Sequence, residues 1–184
     1  MTSDRLAQAV REQVAIGRVL PLGGPADAAW ITEQAAARVL RTAAAGVPGV
    51  RLGTLRVGLE PLAVEAAFET SADRPLPVTA DLLRSALWQA AHDRLGLLVA
   101  AIDLTVTGLL DKAPAPPPPA PAPPPTDPGP QPVPGLARLT SRLGGAGADA
   151  YLQIAVAAGH RALDVARAAR ETAAPRAVLV TDVD

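Results

Sequence analysis

The chain of 184 residues contains no cysteine, which excludes disulfides and thiolate metal sites and removes any need for an oxidising compartment. Aromatics are almost as scarce. One Tyr, one Phe and two Trp are too few for a base-stacking platform. An excess of one charge is missing too. The 17 basic and 18 acidic residues leave a net charge of −1, and no long basic segment is present to neutralise phosphates, so no nucleic-acid partner is expected. Long apolar runs are absent as well. LGLLVAAI at 95–102 lies between Arg94 and Asp103, far short of the ~20 residues that span a bilayer. The opening MTSDRLAQAVREQ is polar and lacks the apolar core of a signal peptide. These features predict a soluble, cytoplasmic protein with no membrane insertion of its own.

What is abundant is Ala, Val and Leu in a chain that is 49% hydrophobic. Residues 4–20 carry Leu6, Val10 and Val14 on one side of a helical pattern, so residues 1–30 read as a helical N-terminal extension. A second helix follows from Thr32, a natural N-cap, with Ala35, Val39, Leu40 and Ala43 in period, and stops at Gly46-Val47-Pro48. Two alternating runs then predict an antiparallel hairpin: Leu55, Val57 and Leu59, followed by Leu62, Val64, Ala66 and Phe68. Thr79 reads as the cap of a helix over 80–95, ended by Gly96. A strand with Ile102, Leu104 and Val106 inward closes an α-β-β-α-β unit over 31–112.

Residues 113–134 hold 13 of the 20 prolines. Proline fixes φ and removes donors, so this stretch reads as an extended polyproline II spacer. The competing reading is a docking site for a proline-recognising domain. Beyond it the earlier pattern returns. VPGLARLTSRLG at 133–144 echoes VPGVRLGTLRVG at 47–58, and YLQIAVAAG alternates as the second hairpin strand does. A helix over 161–174, with an expected Arg167–Glu171 pair, then leads to AVLVTDV, which matches AIDLTVT. Residues 135–184 thus read as a truncated β-β-α-β copy. The predicted fold class is α+β: two units, each a three-stranded antiparallel-type sheet with helices on one face, joined by a proline-rich linker.

Candidate chemistry is thin. His92, in AAHDRLG, suits a helix C-terminus, but no nucleophile or partner base stands at a diagnostic spacing. His160 reads as a helix-boundary residue, and two histidines in different units without HxxxH spacing do not make a metal site. Gly145, Gly147 and Ala150 form a loose G-x-G-x-x-A, yet the dinucleotide motif needs a helix to start within it, and YLQIAVA reads as a strand. That segment is therefore read as a hairpin loop. Glu60, Glu65 and Glu69 lie on the first hairpin, where nothing makes two carboxylates converge. Trp88 is read as a core residue. Trp30 stays open between core filler and interface anchor. No catalytic, cofactor-binding or metal residues are assigned and no cofactor is expected.

One family resemblance covers about 31–110 and, in degenerate form, 133–183. The helix leading into Val47, Gly49 and Val50, the alternating hairpin, and the closing strand with Ile102, Leu104, Val106 and Gly108 resemble the alkaline-shock family of bacterial envelope stress response proteins. That resemblance implies a non-enzymatic interaction protein on the cytoplasmic side of the envelope. It would be held there by a membrane-anchored protein partner; the open sheet edges separately predict self-association. The alternative is a small-molecule-sensing regulatory protein with its ligand at the interface of the two β-β-α-β units.

Overall fold

Alternation of apolar residues builds the first hairpin. β3 (Val50–Leu59) and β4 (Leu62–Ser71) pair antiparallel with Val57↔Val64 and Leu55↔Ala66 in register. Val57, Val64 and Phe68 are completely buried on one face. The structure, a computed structural model, describes residues 17–112, 114, 133–143, 151–173 and 177–184. α1 (Glu33–Ala45) precedes the hairpin and is capped as expected, the Thr32 hydroxyl oxygen accepting the Ala35 N–H at 3.2 Å. α2 (Leu76–Gln89) starts a turn earlier than Thr79. Pro75 and Pro77 set the first turn, where missing amide donors cost nothing, and Thr79 is buried inside the helix. The helix then widens into a six-residue π turn, Ala90–Leu95, closed by Gly96 at φ 86. β5 (Ala101–Leu110) returns alongside β4.

The second hairpin also forms. β6 (Leu136–Leu143) and β7 (Tyr151–Val156) pair antiparallel, followed by α3 (Ala162–Ala173) and β8 (Ala177–Val183). The α+β class therefore holds, but the sheets are mixed rather than antiparallel. β5 runs parallel to β4 and β8 parallel to β7, because each is reached by a helical crossover instead of a tight turn. The N-terminal segment corrects the sequence reading further. Residues 1–16 lie outside the described residues, and the stretch up to Thr32 holds two strands: β1 (Val19–Leu22) and β2 (Ala29–Thr32). β2 pairs parallel with β8, so the second sheet has five strands in the order β1-β2-β8-β7-β6, against three in β3-β4-β5. The boundary expected at residue 30/31 falls inside β2.

The two β-β-α-β copies match in detail. Gly49 and Gly135 adopt φ 81 and φ 80, and each carbonyl accepts a 2.9 Å bond, from Ser71 N–H and Ala157 N–H respectively. Both crossover strands bulge at the same place, after the Phe68 and Ile154 pairings. In each bulge a threonine hydroxyl, Thr107 or Thr181, donates to the carbonyl of that residue at 3.2 Å. The VPG phrase is thus a turn that needs its left-handed glycine in both copies, although only the first follows a helix.

The second copy has no first helix of its own, and α1 serves both. It packs against β3 of one sheet and β8 of the other. Ala35, Ala36, Ala37, Val39, Leu40 and Ala44 are all buried, an arc of roughly 200° at 3.6 residues per turn. Alanine makes this possible by letting backbones approach on two sides. One continuous core joins both copies, including Val133 at the end of the linker.

Candidate functional site

The junction between the copies is built around two glycines and one leucine. Leu163, on α3, packs where a Cβ on Gly96 would lie 2.5 Å from its own Cβ, and its Cδ1 is 2.9 Å from a Cβ built on Gly23. Gly23 N–H donates to the Gly96 carbonyl at 3.1 Å, tying the β1–β2 loop to the π turn. The same loop is clamped from α3. Arg167 grips Asp27 with two bonds of 2.8 and 3.1 Å, and Arg170 donates to the Ala26 and Asp27 carbonyls. The Arg167 guanidinium, then the Gly24 N–H, hold the Asp27 carboxyl below its usual range. Arg167 was expected to pair with Glu171. The Asp27 carboxylate wins because it is largely shielded and already oriented by Gly24. A contact 140 residues away in the chain leaves no local signal.

Beside this junction lies a cleft of about 750 Å³ whose walls include the charged Asp93, Arg94, Arg161 and Asp164, with Pro134 and His160. Arg161 donates to the His92 carbonyl at 3.0 Å and sits 3.6 Å from Asp164, while Arg94 reaches the Asp184 carbonyl at 3.1 Å. The structure thus brings both histidine segments to one cleft, though not as a pair. His92 Nδ1 meets Asp93 at 2.7 Å. His160 Nδ1 meets the Ala158 carbonyl at 3.3 Å, and its ring packs over Gly135. Each ring is occupied by a local partner, and the arrangement is an ion-paired, solvent-exposed wall.

A second concavity is apolar. Pro21, Pro25, Trp30, Leu62 and Leu98 wall a groove of about 420 Å³ between the two sheets. Trp30 is 36% exposed and Leu98 62%. Trp88, read from sequence as core, is 45% exposed. It follows Leu87, and one helical step turns it about 100° away from the buried side.

The two outer sheet faces differ in chemistry. On the three-stranded sheet, Arg56, Glu65 and Asp103 form one cross-strand row, and Glu69 is bonded to Arg51 at 2.6 Å. Glu65 and Glu69 therefore stand on the outer face, as expected, and Glu60 lies in the hairpin turn. On the five-stranded sheet the row Pro21, Trp30, Leu179 and Gln153 is uncharged, and Tyr151 nearby is 45% exposed. Gly145, Gly147 and Ala150 lie outside the described residues. The segment after them is the strand β7, paired in the hairpin. Among the described residues no cluster of three or more His, Asp or Glu could hold a metal, and no helix is long and apolar enough to cross a membrane. Compared with known proteins, the chain matches no protein-family model, no curated protein and no solved structure.

Proposed function

We propose that this chain is a non-enzymatic interaction protein of the envelope stress response, acting at the cytoplasmic side of the envelope through a protein partner. The observation that carries the interaction reading is the uncharged row Pro21, Trp30, Leu179 and Gln153 on the outer face of the five-stranded sheet, where Trp30 and the nearby Tyr151 stay exposed. Uncharged surface with exposed aromatics is what interface centres are made of. The envelope address comes from the resemblance of residues 31–110 to the alkaline-shock family. Affinity capture from membrane-containing lysate tests it with three baits: the native chain, Tyr151→Glu and Glu65→Gln. The expected result is one envelope protein held by the native chain and by Glu65→Gln, and lost with Tyr151→Glu. A native bait that recovers no specific partner while sedimenting as a monomer overturns the reading.

One observation favours the second reading, a small-molecule sensor. The cleft beside the junction lies where the copies meet and presents Arg94, Arg161 and His160 together. A ligand there would bridge the two copies and raise Tm by mass action. A thermal-shift screen of acidic metabolites, repeated on Arg94→Gln, decides it: no hit, or hits indifferent to the substitution, removes this reading.

A further inference from the structure

We propose that the Trp30 groove is a receptor for polyproline II, and that its ligand is the proline-rich stretch of a second copy of this chain. No charged side chain lines the groove, so an ionic peptide would find no counter-charge there. None of the described hydrogen bonds uses the Trp30 indole N–H. A polyproline II segment meets both conditions. Its rings bury apolar surface, its backbone makes no internal hydrogen bonds, and its free carbonyls need a donor such as an indole N–H. Its φ angles are fixed in advance, so little ordering entropy is lost on docking.

The sequence supplies that ligand. Residues 113–134 contain 13 prolines and a single acidic residue, Asp127. In its own copy the stretch sets off from the wrong end. β5 begins at Ala101, beside Leu98 of the groove, and runs ten residues to Leu110, a distance of about 33 Å. Pro114 then lines a different hollow beside Gly46–Leu52. A second copy has no such constraint. Each copy carries both groove and ligand, so association is head-to-tail or reciprocal.

The test uses a synthetic peptide of residues 113–129 and the full chain carrying Trp88→Phe, which leaves Trp30 as the only indole. The expected result is a saturable shift in Trp30 emission, absent with a Gly-Ser peptide of equal length. Leu98→Ser, at an exposed position that keeps the fold by circular dichroism, weakens binding about tenfold or more. The full chain associates with rising concentration in the ultracentrifuge, and loses this when residues 115–126 are replaced by Gly-Ser. No emission change at millimolar peptide, or equal binding by Leu98→Ser, overturns the proposal. So does a monomeric native chain that binds peptide only after the replacement, since its own linker would then fill the groove. Failure of the Tyr151→Glu capture would leave these results untouched, because that residue lies outside the groove.

Discussion

Where the first copy carries Glu65 and Asp103 on its outer sheet face, the second carries Tyr151 and Ala177. Glu69 and Thr105 become Ala155 and Leu179 in the same way. Beneath these changes the backbones agree down to the bulge and its threonine bond. The inner faces agree as well: Phe68 and Ile154 are both fully buried. Turn glycine, bulge and inward residues are demanded by the fold. The outward residues are free to be chosen for contact, and at these four positions the second copy carries no charge, with Arg138 of β6 beside Ala155.

The strongest way to break the comparison is to cut the shared core from each side. Phe68→Ala should cost about 3–5 kcal/mol and Ile154→Ala about 2–5 kcal/mol, and both should lower one and the same calorimetric transition, because α1 packs on both sheets. Two separable transitions would show that the copies fold independently. Gly135→Ala sharpens the comparison at the turns. It should cost about 2–3 kcal/mol, and Gly49→Ala about 1–2, since left-handed strain is common to both. The added methyl meets the His160 Cβ at 2.8 Å as well as its ring at Gly135, but at Gly49 only the rotatable Ser71 hydroxyl closely. Urea unfolding of the two variants checks the order.

Asp27→Asn tests the clamp between the N-terminal loop and the second copy. Folding lowers the Asp27 pKa, so its contribution is present above the unfolded value of about 3.9 and lost as pH falls through the lower folded value. The variant should melt lower than the native chain at pH 7. The gap should close below about pH 4, as thermal melts across that range would show. The smallest effect is expected on the charged face. Glu65→Gln should change stability by less than about 0.5 kcal/mol, with any difference vanishing in high salt.

Both hairpins, the Thr32 cap and the two copies could be read from the sequence, because alternation and capping are local patterns. β1 and β2 could not. VLPL carries a proline suited to an edge strand, but its neighbour Leu6-Val10-Val14 imposes a helical period, and the partner that makes β2 a strand is β8, far along the chain. The placement of Trp88 failed for a different reason. Unlike α1, this helix buries only a narrow stripe, so of the adjacent Leu87 and Trp88 only Leu87 faces inward, and composition does not say which one turns out. The π turn leaves no periodic trace either. It ends at Gly96, against which Leu163 packs, a tertiary contact with no local pattern. The groove leaves no trace in the sequence because Pro21, Trp30, Leu62 and Leu98 belong to separate segments that meet only when the two sheets do.

The central strand of the larger sheet, β8, is the last of that sheet's strands to be synthesised, and it sits between β2, among the first, and β7. While the ribosome is still making the linker and second hairpin, β2 has no neighbour on one side and α1 lacks half of its packing surface. The nascent chain therefore exposes an open strand edge for most of its synthesis. A stalled or C-terminally clipped chain would lose the strand that joins both halves of the sheet. It would become a target for chaperones or proteases rather than a partial but usable protein.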